Sequence, residues 1–98
     1  MRTTPDERIN EFSKQGWWGT DTLDSIFMAT ATKNGPKTAL VDQFNRAEFT
    51  DGEPYRLSFD ELANAAENLA ADFYRHGLRR DDIVVIQLPN IAELAVLY

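Results

Sequence analysis

From residue 59 onward the apolar side chains fall into step. Phe59, Leu62, Ala66, Leu69 and Phe73 recur at intervals of three and four, and Ala63, Ala70 and Tyr74 widen the same face. Asp60, Asn64, Glu67, Asn68 and Asp72 fall mainly opposite. Ser58 and Glu61 have the S-x-x-E spacing of a capping box, with Leu57 and Leu62 placed as its hydrophobic staple. Gly77 supplies the left-handed residue that ends a helix, and Leu78 the apolar contact back onto it. The pattern predicts an amphipathic helix of about five turns. The period then changes. Ile83, Val84, Val85, Ile86, Gln87 and Leu88 form an almost continuous apolar, β-branched run, which predicts a strand buried on both faces. Strand, capped helix, tight turn and buried strand make a βαβ unit with a right-handed crossover. After Pro89, Asn90 is placed as a cap with Glu93 three residues on, and Ile91, Leu94, Ala95 and Leu97 begin another helix.

The first half is less regular. Residues 1–21 read as a polar arm, flexible or carrying a short helix after Pro5, with isolated Ile9 and Phe12. Leu23, Ile26, Phe27 and Ala31 keep helical spacing behind the cap oxygens of Thr20, Asp21 and Thr22, until Asn34-Gly35-Pro36 stops the helix. Thr38, Ala39, Leu40 and Val41 read as a short strand that returns through residues 55–57. Asp51-Gly52 and Pro54 lie in the irregular loop between them, so the pair should be an antiparallel hairpin. The fold expected is α/β: a hairpin, a βαβ unit and flanking helices. The last helix ends in the middle of its apolar pattern at Tyr98, so residues 22–98 are expected to be an incomplete portion of a larger domain.

Charge and composition remove several classes of function. Among the 98 residues, ten Lys/Arg face sixteen Asp/Glu, for a net charge of −6. The one adjacent cationic pair is Arg79-Arg80, too little for counterion release, so no nucleic-acid partner is expected. No apolar run is long enough to cross a membrane, and the polar start carries no secretory pattern. Cysteine is absent and His76 is the single histidine, which rules out thiol chemistry and a multi-histidine metal site in one chain. A cytoplasmic location is the expectation.

Five features invite sharper readings. Gly19 to Ser25 resembles the G-x-D-S-L motif of acyl carrier proteins, but Thr22 stands where the serine would take phosphopantetheine, and a helix cap accounts for the same residues. Trp17-Trp18 could face a partner or cover the core. His76 suits the negative end of a helix dipole. Asp81-Asp82, with Asp60 or Glu93, lacks calcium-ligand spacing. Asp42 ends a strand without a partner base or metal, and reads as a turn former.

A family resemblance rests on Tyr55-Arg56-Leu57-Ser58-Phe59-Asp60-Glu61-Leu62, Asn68-Leu69-Ala70, Gly77-Leu78, then Asp82 through Leu88, Pro89-Asn90 and Glu93. The order resembles the opening of adenylate-forming, AMP-binding enzymes of the acyl-CoA synthetase family. Asp81 departs from it, since the family usually has glycine there. The resemblance implies a parent ligase that joins a carboxylate to ATP as acyl-adenylate and passes the acyl group to coenzyme A, with ATP, magnesium and coenzyme A as its cofactors. The Ser/Thr/Gly-rich phosphate loop, magnesium ligand and catalytic lysine of such enzymes lie further along than any position here. No catalytic, cofactor-binding or metal residue is therefore assigned to this chain, which is expected to be an inactive N-terminal scaffold. Its partner would be the remainder of the parent, with self-association through exposed strand and helix surfaces. The alternative is a free-standing α/β protein-interaction module.

Overall fold

Reciprocal caps start both long helices in the computed structural model, which describes residues 3–98. Helix α2 (Leu23–Asn34) begins where Thr22 Oγ1 accepts from the Ser25 N–H at 3.1 Å and the Thr22 N–H donates to Ser25 Oγ at 2.9 Å. Helix α3 (Phe59–Arg75) begins on the expected box: the Glu61 N–H donates to Ser58 Oγ at 3.2 Å, and the Ser58 N–H to Glu61 Oε2 at 2.8 Å. Its end is also as the pattern requires. Gly77 has φ +97°, the Leu78 N–H reaches Phe73 O at 3.0 Å, and the Gly77 N–H reaches Tyr74 O at 3.1 Å. Before them lies α1 (Asp6–Lys14), and Ala92–Leu97 forms the short α4.

Strands β1 (Thr38–Val41) and β2 (Arg56–Ser58) pair antiparallel, with Leu40 opposite Leu57, Val41 opposite Arg56 and an irregularity between Thr38 and Leu40. The loop between them holds a 3-10 turn, Arg46–Glu48. The turn from α2 into β1 closes tightly on α3. The Asp60 N–H donates to Gly35 O at 3.0 Å, and a Cβ at Gly35 would fall 2.7 Å from an Asp60 carboxylate oxygen. Helix α3 is the centre of the packing: α2, α4 and both strands lie against it, while α1 stands outside that group.

The interior is thin. Ala31, Leu62, Ile91 and Ala92 are its buried apolar residues, and Arg46 is buried with them. Accessible surface totals 8071 Å², where a compact monomer of this mass exposes about 5,700 Å². The radius of gyration, 16.6 Å, exceeds the roughly 13 Å of a compact chain of about 100 residues.

Of the expected βαβ unit β2 and α3 form, while residues 83–88 follow them in chain order without making a strand among the described residues. Among the described residues, no backbone N–H or C=O of residues 83–88 has a hydrogen-bond partner. Exposure still alternates as along a strand: Ile83 and Val85 are 71% and 89% exposed, Val84, Ile86 and Leu88 only 39–46%. A β-branched run makes a segment fit for a sheet, but the ladder needs a neighbour, and β1 and β2 pair only with each other.

The turn before that segment carries backbone strain. Asp81 has φ +72°, in the left-handed region where the related pattern has glycine. Asp81→Gly is expected to raise stability by up to about 1 kcal/mol, less the extra chain entropy that glycine restores to the unfolded state. A thermal melt checks this. A lower midpoint would show that the Asp81 side chain contributes more than its backbone costs.

Candidate functional site

The densest polar cluster is built around Arg46, which the sequence pattern did not single out. Its guanidinium grips Glu93 with two bonds, Nη2 to Oε1 at 2.5 Å and Nη1 to Oε2 at 2.9 Å, across 47 residues of chain. Nη1 also donates to Asp42 Oδ2 at 2.6 Å, and Nε to the Asp51 carbonyl at 3.3 Å. The Tyr55 ring lies 4.9 Å from the guanidinium carbon. The Arg46 and Asp42 side chains are 5% and 2% exposed, whereas that of Glu93 is 45% exposed and forms the outer wall.

Asp42, expected as a turn former, instead bridges distant segments. Oδ2 accepts from the Tyr55 N–H at 3.1 Å, and Oδ1 from the Ala92 N–H at 2.8 Å. Ala92 is the first residue of α4, so Asp42 caps that helix from 50 residues away. The cap expected from Asn90 and Glu93 is thereby corrected. Ile91 holds the cap position without a side-chain bond, the Asn90 carbonyl accepts from Gln43 Nε2 at 2.8 Å, and the Glu93 carboxylate is taken by Arg46. A helix of two turns gains more from a buried aspartate fixed on a neighbouring strand end than from its own exposed asparagine.

Electrostatics follow the contacts. Burial works to raise the Asp42 pKa, but the bonds from Arg46, Tyr55 and Ala92 outweigh it and hold the carboxyl below its ordinary 3.8. The Arg46 hydrogen bonds lower Glu93 against an opposing burial effect, and the Ser58 N–H and hydroxyl lower Glu61. The Glu93 and Asp42 bonds push Arg46 further up, so it is charged at any working pH. A carboxyl with a depressed folded pKa stabilises the fold above its unfolded value and loses that contribution as pH falls through the folded one. The urea midpoint should therefore be level from pH 7 to 5 and fall as pH drops below the ordinary values of 4.5 and 3.8. Glu93→Gln should flatten part of that fall, and a midpoint unchanged between pH 5 and 3 would contradict the account.

The other singled-out residues are not brought into this cluster as a reacting group. The Thr22 hydroxyl is engaged in its cap. Trp17 and Trp18 fold back on Phe12, with ring centroids 5.5 and 5.1 Å away, and stay 67% and 43% exposed. His76 Nδ1 lies 2.8 Å from the Asp72 carbonyl at the end of α3. Asp82 Oδ2 accepts from the Arg79 N–H at 2.7 Å, which closes the turn. Among the described residues, no three His, Cys, Asp or Glu side chains are grouped to hold a metal ion. No helix among them is long and apolar enough to cross a membrane.

Beside the clamp, α2, α3 and α4 leave an open hollow of about 230 Å³ lined by Leu23, Phe27, Leu62, Ala66, Ala95 and Val96. It runs on over Leu69, Ala70 and Phe73. Apart from Asp24 and Tyr98 its lining side chains are hydrocarbon, which suits packing. The clamp likewise spends its donors and acceptors on one another. Together they can hold the 42–55 loop, β2 and α4 at fixed distances, a mechanical task.

Comparison with known proteins gives these elements a context. A family model described as "AMP-binding enzyme" matches residues 27–98. The chain is 35% identical over 89 residues to a 2,3-dihydroxybenzoate-AMP ligase of Bacillus subtilis, covering 91% of this chain and 15% of that protein. It is 30% identical over 94 residues to enterobactin synthase component E of Escherichia coli, covering 96% and 15%. It is 29% identical over 92 residues to a salicyl-AMP ligase / salicyl-S-ArCP synthetase of Mycobacterium tuberculosis, covering 94% and 15%. The chain thus spans about one-seventh of the length of these relatives. No solved structure matches it.

Proposed function

The chain belongs to the AMP-binding enzyme family, and from that premise we propose that it is the front scaffold of an adenylate-forming ligase. The parent reaction is attack of a carboxylate on the α-phosphate of ATP, giving acyl-adenylate and pyrophosphate, with ATP and magnesium as the parent's cofactors. An aromatic carboxylate is the substrate class we favour, because two of the relatives are named for 2,3-dihydroxybenzoate and salicyl adenylation. The acyl acceptor is a thiol. The acyl-CoA synthetase resemblance points to coenzyme A, while the name of one relative refers to a thioester on ArCP.

One observation carries the scaffold reading. The family match covers the same span in which the Arg46 clamp ties the 42–55 loop to α4, and every polar group of that clamp is used in holding the fold. The interaction-module alternative has no comparable support.

A chimaera tests the proposal. This chain replaces the corresponding segment of the Bacillus subtilis ligase, and 2,3-dihydroxybenzoate-dependent ATP–pyrophosphate exchange is measured. Retained exchange supports a scaffold interchangeable within the family. A folded chimaera without exchange, or ATP binding by the isolated 98 residues, would overturn it.

A further inference from the structure

We propose that Asp51-Gly52 is a site of spontaneous covalent modification, at which Asp51 isomerises to isoaspartate under the guidance of Arg46. The proposal goes beyond the ligase reading and does not rest on it, because the reaction is intramolecular and uses only the 42–55 loop and water.

Two residue pairs in the chain invite ring closure, Asn34-Gly35 and Asp51-Gly52, since a glycine leaves its own backbone nitrogen unhindered. In a free chain the asparagine pair is the faster. The fold reverses that order. Asn34 is the last residue of α2, and helical backbone angles hold the next nitrogen away from its side chain. Its Nδ2 donates to the Thr30 carbonyl at 3.0 Å, and its Oδ1 accepts from Lys37 Nζ at 3.0 Å. Gly35 is buried, and its carbonyl accepts from the Asp60 N–H. Asp51 has none of these restraints. Its carboxylate and the Gly52 N–H have no partner among the described residues, and both residues are exposed.

The reaction balances with water alone. The Gly52 nitrogen attacks Asp51 Cγ, an N–C bond forms, and a carboxyl oxygen leaves as water with the amide proton, closing a cyclic imide. Water then adds to the α-carbonyl carbon, and the bond from that carbon to the nitrogen breaks. The main chain now runs through Cγ, and the former carbonyl is a free α-carboxylate. Arg46 directs the second step. Its Nε donates to the Asp51 carbonyl oxygen at 3.3 Å, and a Cβ at Gly52 would lie 3.8 Å from Nη2. A cation on that oxygen polarises the carbonyl that water must attack, then faces the carboxylate that forms. Opening at Cγ, which restores aspartate, gains no such contact.

Ageing the chain at neutral pH, folded and in urea, tests this by peptide mapping and enzymatic methylation of isoaspartyl carboxylates. In urea Asn34 should deamidate faster than Asp51 isomerises. In the folded chain Asn34 should slow about tenfold or more while Asp51 stays within a few-fold of its urea rate, so the order inverts. In heavy-oxygen water both products of imide opening carry label, and the isoaspartate share should be higher folded than in urea. Asp51→Glu keeps the charge but closes a larger ring far more slowly, and should remove the folded chain's methylation signal. Three results would overturn the proposal: Asn34 reacting first in the folded chain, a signal that survives Asp51→Glu, or equal isoaspartate shares in the two states.

Discussion

Arg46→Met should lower the melting temperature by on the order of 10 °C, the largest effect expected of any single change away from the apolar core. The substitution keeps most of the side-chain volume and removes only the charged fork. What remains is two carboxylates, Asp42 and Glu93, facing the same vacated space with the Asp42 side chain only 2% exposed. An ion pair broken on one side leaves an uncompensated charge, which is worse than never having had the pair. The loss should be felt at a distance, because Asp42 also caps Ala92. Amide exchange at Ala92 and the rest of α4 should quicken more than exchange in the middle of α3. Arg46→Lys should restore little, since a single ammonium cannot make two parallel bonds to Glu93 and a third to Asp42. Adding Glu93→Gln to Arg46→Met should recover part of the midpoint by removing the repulsion. A drop of only a degree or two would reduce the clamp to an ordinary surface pair.

Leu62→Ala is expected to cost about 3 kcal/mol, from the lost transfer of its methyl groups and the cavity left behind. Leu62 is the one leucine among the four buried apolar residues, and it lies on the central helix. In a chain with so small an interior, a cost of that size is a large share of a total of about 5–10 kcal/mol. The urea midpoint and the melting temperature should fall steeply, read by helical circular dichroism. Leu62→Met should cost less than about 1.5 kcal/mol, because volume is nearly conserved. If Leu62→Ala were as mild as Leu62→Met, the hollow beside it would be collapsing to fill the space. That outcome would place the stability of the chain outside the α2–α3–α4 contact.

Local chemistry made much of the fold legible. Ser58, Glu61 and Gly77 act over three to six residues, and the structure uses each of them as the spacing implies. Thr22 likewise caps α2, with Ser25 completing the box. The Thr38–Val41 strand and its return needed only a short apolar run on each side of a turn, and the return lies one residue further along than expected, at Arg56–Ser58. Family membership was readable for a related reason: the Leu88-Pro89-Asn90 and Glu93 pattern follows a capped helix in a set order.

The clamp was not legible in the same way. Asp42 and Arg46 are four residues apart, which hints at a pair, but nothing in the chain says that Glu93 will arrive from 47 residues away. Asn90 looked like the cap of α4 because capping rules are local, and it lost that place to a buried aspartate delivered by the end of β1.

The sequence by itself determined the helices α2 and α3 with their caps, and that residues 83–88 are built for a sheet, because propensity, capping and periodicity are settled between near neighbours in the chain. Tertiary structure alone decided that Arg46 lies in the interior, that Asp42 caps a helix it does not precede, and that the 83–88 run stays unpaired among the described residues. Each of these depends on which distant groups meet in space. A buried charge, a remote cap and a strand ladder exist only when the partner is there.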